Sequence, residues 1–233
     1  IKNIPDLELN LLIRSVTCAI SVYADEELIA EIGQVGTKPE LEKQRYEERV
    51  VSLPHGKKDV TLTIFLSNWE HRNGGLNNPW YIGTEDALYE IHRKHIMVNG
   101  IEFATFFFAG LFFITLYIWR KKDKALLYFA LYCLTFSPRP LISVNYMIMS
   151  VWPDINWNLM VHAEYLTLFL PAAFMLLFLR EHFKEQAPRK FLNIMVILIL
   201  IESLVTIVAP IHIFTWLPIP HQLITFINFA LVG

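Results

Sequence analysis

The sequence has no excess of basic residues, and it has few cysteines. The net charge is -2 at pH 7, whereas binding a nucleic-acid backbone needs a concentrated excess of Lys and Arg that no segment here carries. We therefore exclude nucleic acid as a partner. Of the 2 cysteines, Cys18 lies in a predicted strand and Cys133 in a predicted membrane helix. Because the predicted strand lies in water and the predicted helix in lipid, we expect no disulfide between the two cysteines.

The sequence also lacks an initiating methionine and a charged segment followed by a short apolar one, the pattern of a secretory signal. It begins at Ile1 and stops at Gly233 within an apolar run, so we expect a fragment of a longer protein. What the chain has in abundance is apolar residues, which make up 54% against 18% charged, with a mean hydropathy of +0.39. Such a composition indicates that lipid is the solvent for part of the chain.

Long apolar runs begin close to residue 94 and predict a helical transmembrane region over 94–233. At a rise of about 1.5 Å per residue, a run of about 20 residues crosses a hydrocarbon core of about 30 Å. We predict four complete spans and a truncated fifth, over 96–119, 125–149, 157–179, 191–214 and 221–233.

Basic residues in the short connections predict the orientation of these spans, because Lys and Arg collect on the cytoplasmic side. They crowd 120–124 and 180–190, whereas 150–156 and 210–220 contain none. The N-terminal region is therefore expected outside the membrane. Tryptophans near the predicted span ends, such as Trp119 and Trp157, suit the membrane interface.

The region 1–90 shows the two-residue period of β-strands. Apolar residues alternate with others over 7–13 and 60–67, which predicts half-buried strands, and further strands are predicted at 18–23, 28–32 and 49–53. Asp25-Glu26 is a predicted turn, and the charge-rich segment 38–49 is expected to be a solvated loop. This pattern predicts a partial antiparallel β-sandwich as the N-terminal domain.

Several of these segments together resemble a known family. In the N-terminal region they are Val22–Gly33, Leu-Ser-Asn-Trp at 66–69, His-Arg-Asn-Gly-Gly-Leu at 71–76 and Tyr-Ile-Gly at 81–83, and in the membrane region they are the basic loop 120–124 and Leu-Leu-Tyr-Phe-Ala-Leu-Tyr-Cys at 126–133. The chain resembles the bacterial seven-transmembrane receptors with diverse intracellular signalling modules.

That resemblance implies a jelly-roll domain related to carbohydrate-binding modules, a seven-helix membrane region, and a cytoplasmic output domain that this chain does not include. It implies a bacterial inner-membrane protein with its N-terminal domain in the periplasm. The partners implied are the lipid bilayer, a carbohydrate or other small ligand, and a protein. We expect no enzyme activity and no cofactor in this chain, whereas the full-length protein is expected to carry a kinase, cyclase or phosphatase domain.

Aromatic and polar side chains concentrate around the loop 68–78 and suggest a ligand site made of Trp69, His71, Arg72 and Trp80. Indole rings stack on sugars, and imidazole and guanidinium groups donate hydrogen bonds. In the alternative interpretation these residues are structural, with Gly74 and Gly75 permitting a left-handed turn. His92 and His95 have a spacing that suits a metal pair, but an interfacial polar collar explains them more simply, and we expect no metal.

Ionisable residues within the predicted spans are candidates for function, because a lone charge at the bilayer centre costs about 2.5–3.5 kcal/mol on insertion. They are Glu102, Arg139, His162, Glu164 and Glu202. Arg139 is expected near mid-membrane and paired with Glu164, Glu102 or Glu202. One interpretation is an ion pair that holds helices together; the other is a water-filled pocket, rimmed by Glu102, His162 and Glu164, that takes part in transduction.

Proline adds to the second interpretation, since Pro138 and Pro140 flank Arg139 and predict a bend there. Three functions are consistent with the sequence. The first is a signalling receptor, in which a ligand or partner at the sandwich biases one of two helix arrangements. The second is a membrane enzyme or transporter with a polar relay, although the sequence shows no nucleophile motif, phosphate loop or metal cluster. The third is a non-catalytic subunit of a larger envelope complex.

Overall fold

The computed structural model describes residues 1, 7–14, 16–57, 59–143 and 146–232. The chain divides into two compact units: Ile1–Val98 with Val144–Trp157, and Asn99–Ser143 with Asn158–Gly233. Two small antiparallel sheets are followed by four long apolar helices. The predicted fold class, a β-sandwich followed by a helical membrane region, is confirmed.

The described strands form two three-stranded sheets. Strand order is β4-β1-β6 in one sheet and β3-β2-β5 in the other, and all pairs are antiparallel. The strands are β1 (Asn10–Ile13), β2 (Ala19–Ala24), β3 (Glu27–Ile32), β4 (Arg49–Ser52), β5 (Leu62–Ser67) and β6 (Tyr81–Gly83).

The predicted turn at Asp25-Glu26 connects β2 to β3, where Ala24 pairs with Glu27. Asp25 has a φ of 56°, a left-handed conformation that aspartate tolerates better than most residues. Its carboxylate accepts a hydrogen bond from the Thr61 N–H at 2.9 Å and contacts Lys57 Nζ at 2.6 Å. These two contacts lower the pKa of the Asp25 carboxyl and fix the turn against the chain before β5.

The central strands are buried more completely than their sequence predicts. Leu12 is as inaccessible as Leu11 and Ile13, although it points to the opposite face of β1. A central strand is covered on both faces when other segments pack beside the sandwich core, and a two-residue period alone does not reveal this. On β5 the predicted buried face ends early, since Leu66 is exposed and Ser67 accepts a hydrogen bond from the Gly36 N–H at 3.0 Å.

The helices begin and end at places that the apolar runs only approximate. Helix α1 starts well before residue 96, and the predicted spans 125–149 and 191–214 end instead at Ile142 and Val208. The helices are α1 (Glu85–Trp119), α2 (Lys124–Phe136), α3 (Arg139–Ile142), α4 (Ile148–Val151), α5 (Trp157–His182), α6 (Arg189–Val208), α7 (Ile211–Phe214) and α8 (Pro218–Val232).

Proline explains two of these differences. Pro138 and Pro140 lie where α2 gives way to the short helix α3, and Pro210 follows the end of α6, because proline has no N–H to continue the hydrogen-bond ladder. Val144 and Asn145, within the predicted second span, and Gly233 in the fifth lie outside the described residues. Within the described part of the chain, four helical segments are long and apolar enough to cross a membrane: 85–119, 124–142, 157–182 and 189–208.

Helix α6 shows which solvent its surface suits. Its buried face includes Glu202, Ser203 and Thr206, whereas Ile201 and Leu204 are exposed. This reverses the pattern of a helix in a water-soluble protein. The Ser203 and Thr206 hydroxyls donate to the carbonyls of Ile199 and Glu202 at 3.0 and 2.9 Å, which satisfies them without water. The arrangement fits a helix surrounded by lipid.

Candidate functional site

The predicted ligand loop is organised around His71, which is buried. Its ring Nδ1 accepts a hydrogen bond from the Asn73 backbone N–H at 3.1 Å, and the His71 backbone N–H donates to Asn68 Oδ1 at 3.0 Å. Burial lowers the pKa of His71, in agreement with a neutral ring whose nitrogen accepts. These contacts give His71 a structural role in shaping the turn.

The two tryptophans of this loop region lie in different environments. Trp80 is partly buried and packs against the sandwich core, while Trp69 is 50% exposed. The Trp69 indole N–H donates to the Gly36 carbonyl at 3.1 Å, which fixes the ring in place. Arg72 is partly exposed. Of the four predicted ligand residues, Trp69 is exposed, Arg72 and Trp80 are partly exposed and His71 is buried, and their ligand role remains a prediction.

The sequence analysis missed the partners that hold Trp69. Glu42 Oε2 accepts hydrogen bonds from the Trp69 N–H and from Gln44 Nε2, both at 3.0 Å. Gln44 Nε2 also lies 3.2 Å from Asn68 Oδ1. These residues belong to the segment 38–49, which was expected to be a solvated loop. The many charged residues of this segment predicted exposure to water, whereas several of its side chains form hydrogen bonds within the fold.

Tyr46 corrects that expectation most clearly, since it is only 1% exposed. Its ring stacks on Tyr146, with centroids 4.1 Å apart and planes inclined by 27°, and it meets Trp157 edge-on at 6.0 Å. Aromatic pairs in this geometry contribute about 0.5–1.5 kcal/mol beyond the area they bury. One residue from between β3 and β4 thus contacts the connection that follows α3 and the first residue of α5.

Glu48 lies two residues further along and contacts helix α1. Its carboxylate Oε1 is 3.1 Å from His92 Nδ1, and the Glu48 side chain is 4% exposed. Its Oε2 is buried and has no hydrogen-bond partner within the described residues. We call residues 46–48 the junction segment, because they join the sheet domain to the N-terminal part of α1 and to residues 146–157. Neither Tyr46 nor Glu48 was a candidate in the sequence, although an isolated aromatic within a charged segment is a usable signal.

Arg139 occupies a different position from the one expected. It is the first residue of the short helix α3 rather than a mid-helix residue, and its Nη1 donates to the backbone carbonyl of Glu164 at 2.9 Å. Glu102 is exposed on α1 and has no hydrogen-bond or ion-pair partner in the part of the chain that the structure describes. Arg139 thus contacts the third predicted span through the backbone oxygen of Glu164, and a charge pair between the two side chains stays a prediction.

Glu202, the third proposed partner of Arg139, instead contacts His221 on α8. Glu202 Oε2 lies 2.8 Å from His221 Nδ1, and both residues are buried. The His221 ring also packs on Phe169 of α5, with centroids 4.8 Å apart. The sequence analysis took His221 only as the start of an apolar run. A histidine bordering such a run is the signal that was overlooked.

His162 does not contact these charged groups in the described residues. Its Nδ1 lies 2.8 Å from the Asn158 carbonyl, one turn earlier on α5, and its ring packs against Phe214 with centroids 4.7 Å apart. The structure therefore divides the five predicted intramembrane residues. Arg139 and Glu164 are in contact, Glu202 joins His221, and Glu102 and His162 contact neither pair.

Comparison with known proteins assigns the chain to a family. No curated protein and no solved structure matches the chain. The family model described as 7TM diverse intracellular signalling matches residues 95–232, which is more than half of the chain. Its match covers α1 from His95 to α8 and agrees with the four apolar helices. The chain belongs to the 7TM diverse intracellular signalling family, which is a family of membrane signalling receptors.

Proposed function

We propose that this chain is the sensing and transducing part of a receptor in a bacterial inner membrane, with the sheet domain, residues 1–90, in the periplasm. The helical region, 94–233, transmits the signal to a cytoplasmic output domain in the longer protein. The basic connections at 120–124 and 180–190 support this orientation. In this proposal the chain itself carries no catalytic activity.

The junction segment is the observation that carries the proposal. Within three residues, Tyr46 packs on Tyr146 and Trp157, and Glu48 contacts His92 of α1. A displacement of this segment changes contacts to α1 and to the start of α5 together. Because α1 continues without interruption from Glu85 to Trp119, a change at its first turns has a continuous helix through which to act.

The burial of Glu48 makes this contact suitable for a two-state element. A buried carboxylate is stabilised when paired and costs several kcal/mol when its partner is removed. The Glu48–His92 contact leaves Oε2 without a partner among the described residues, so the carboxylate gains a hydrogen bond in any arrangement that satisfies both oxygens. A ligand that favours one arrangement shifts the population by its difference in affinity for the two.

We propose that the ligand binds on the sheet domain at Trp69 and is a carbohydrate or a similar small polar molecule. The exposed indole ring supplies a stacking surface, and Arg72, three residues later in the chain, is partly exposed and cationic. Trp69 is held through Glu42 and Gln44, which lie in the same segment as Tyr46 and Glu48. Binding at Trp69 therefore acts on the residues that precede the junction segment.

Glu48→Gln in the full-length receptor tests the junction. Loss of the charge is expected to change the basal activity of the output domain and to speed hydrogen exchange in residues 85–98, because the His92 contact weakens. Glu90→Gln is the matched control, since Glu90 contacts Arg93 on the surface of the same helix with both side chains more than 70% exposed. If Glu48→Gln and Glu90→Gln have the same hydrogen-exchange rates in residues 85–98 and the same output activity, the junction segment does not transmit the signal.

The ligand is tested separately with purified receptor and an array of neutral oligosaccharides. Trp69→Ala is expected to abolish binding of any oligosaccharide that the native receptor retains. Trp152→Ala is the control, because Trp152 is also exposed, at 58%, but lies in the connection before α5. Binding that survives Trp69→Ala would move the ligand site elsewhere on the sheet domain.

A further inference from the structure

We infer that the second unit contains a binding site for a phosphate-bearing anion, in a cavity between the α1–α2 connection and the end of α5. The cavity has a volume of about 800 Å³, within the range of about 300–1,000 Å³ that is usual for small-molecule sites. This site is separate from Trp69 and from the junction segment, and its test does not depend on the proposed ligand.

Four of the ten residues that line this cavity are lysine or arginine. Arg120, Lys121 and Lys122 come from the α1–α2 connection, and Lys184 comes from just beyond α5. Arginine presents a fork of donors to a phosphate oxygen, and lysine adds a compact charge. Arg120, Lys121 and Lys122 are consecutive residues, so three positive charges lie close together, which favours an anion with more than one acceptor oxygen.

The two carboxylates that line the cavity are already engaged. Asp123 accepts a hydrogen bond from the Ala125 N–H at 3.2 Å as the N-cap of α2. Glu181 contacts Arg180 at 3.0 Å and Lys184 at 3.7 Å. In contrast, Arg120, Lys121 and Lys122 have no carboxylate partner in the described part of the chain. Counted together, the four cations and two carboxylates of the lining leave a net charge of about +2, which an anion would balance.

Apolar surface lies next to the cations. Trp119 is 84% exposed and Ile118 57% exposed, and both line the cavity. A cationic pocket with an indole and an aliphatic side chain at its edge suits a phosphate group attached to an apolar chain. The shared chemistry is a phosphate mono- or diester, supplied either by an anionic phospholipid or by a soluble phosphate.

Orientation in the membrane explains why these connections are basic, but it does not require their charges to converge. Lys124, Arg189 and Lys190 lie in the first turns of α2 and α6, next to the same two connections, yet they do not line the cavity. They provide a control set with the same change in net charge. If anions are attracted only to a basic surface, the two sets of residues contribute equally to anion affinity. If the cavity is a specific binding site, anion affinity depends on the cavity residues alone.

The test uses the purified full chain in detergent, with bound lipid counted by native mass spectrometry. Phosphatidylglycerol is compared with phosphatidylcholine, and inorganic phosphate and pyrophosphate are titrated separately. For the triple variant R120Q/K121Q/K122Q, we expect about a hundredfold weaker binding of the anion that the native chain prefers, at about fivefold for each basic residue. The control triple variant K124Q/R189Q/K190Q is expected to bind within about twofold of the native chain.

The two probes distinguish the source of the phosphate. If the triple variant R120Q/K121Q/K122Q loses binding of phosphatidylglycerol alone, the site binds a lipid headgroup. If it loses binding of inorganic phosphate or pyrophosphate alone, the site binds a soluble anion. K121R/K122R, which keeps the charge, is expected to retain binding and so separates loss of the site from loss of folding. Equal weakening in both triple variants, or no preference of the native chain for any of the anions, overturns the inference.

Discussion

Replacing His221 with leucine is expected to lower the free energy of unfolding of the second unit by about 3–5 kcal/mol, the usual cost of removing one partner of a buried ion pair. Glu202 and His221 are each 6% exposed, and the contact between Oε2 and Nδ1 is 2.8 Å. Oε1 of Glu202 already lacks a partner among the described residues. The variant therefore leaves a buried carboxylate with neither oxygen satisfied by a side chain.

The size of the loss in unfolding free energy shows whether the Glu202–His221 contact is a neutral hydrogen bond or an ion pair. A neutral hydrogen bond between membrane helices contributes about 0.6 kcal/mol on average, whereas an ion pair that loses one partner costs several times more. The double variant E202L/H221L removes both polar groups and is expected to recover most of the lost stability. A coupling free energy of about 2 kcal/mol or more between the two positions then identifies a charged pair.

The assay is reversible unfolding of the full chain in mixed micelles, followed by circular dichroism. His212→Leu is the matched control, because His212 is exposed on the short helix α7, and its replacement is expected to change stability by less than about 0.5 kcal/mol. A loss of less than about 1 kcal/mol for His221→Leu, or additive effects in the double variant, would refute the ion-pair description.

Three further outcomes follow from the structure. Gly110→Ala is expected to destabilise the membrane region in the same unfolding assay, since a Cβ there meets the Leu134 side chain at 2.6 Å, whereas Gly100→Ala meets nothing within 4 Å and serves as its control. Because burial lowers the pKa of His71, the unfolded state binds the proton more readily; the thermal midpoint is expected to fall as pH drops below about 6.5, and less so in His71→Gln. Cys18 is buried and its thiol pKa is raised by burial, so maleimide is expected to label it only after unfolding.

The sheet domain shows how far local patterns reach. The turn at Asp25-Glu26 follows from residues that are close in the chain, and each of the five predicted strands overlaps an observed one, whereas β6 at Tyr81–Gly83 was not predicted. The segment 38–49 did not follow this rule, because Tyr46 is buried by Tyr146, which lies 100 positions away. A period in the sequence reports which face of an element is apolar, and it contains no information on which distant segment covers that face.

The sequence by itself determined the class of this protein: apolar runs long enough to cross a bilayer predict helices in lipid, because an unpaired backbone group in hydrocarbon is too costly for other structures. The same runs misplaced the helix ends, since Pro138 and Pro210 end or interrupt the hydrogen-bond ladder inside apolar sequence. Only the tertiary structure decided the partners. Glu202 meets His221 rather than Arg139, because pairing depends on which helix faces are brought together, and that is a property of the packed helices rather than of any one segment.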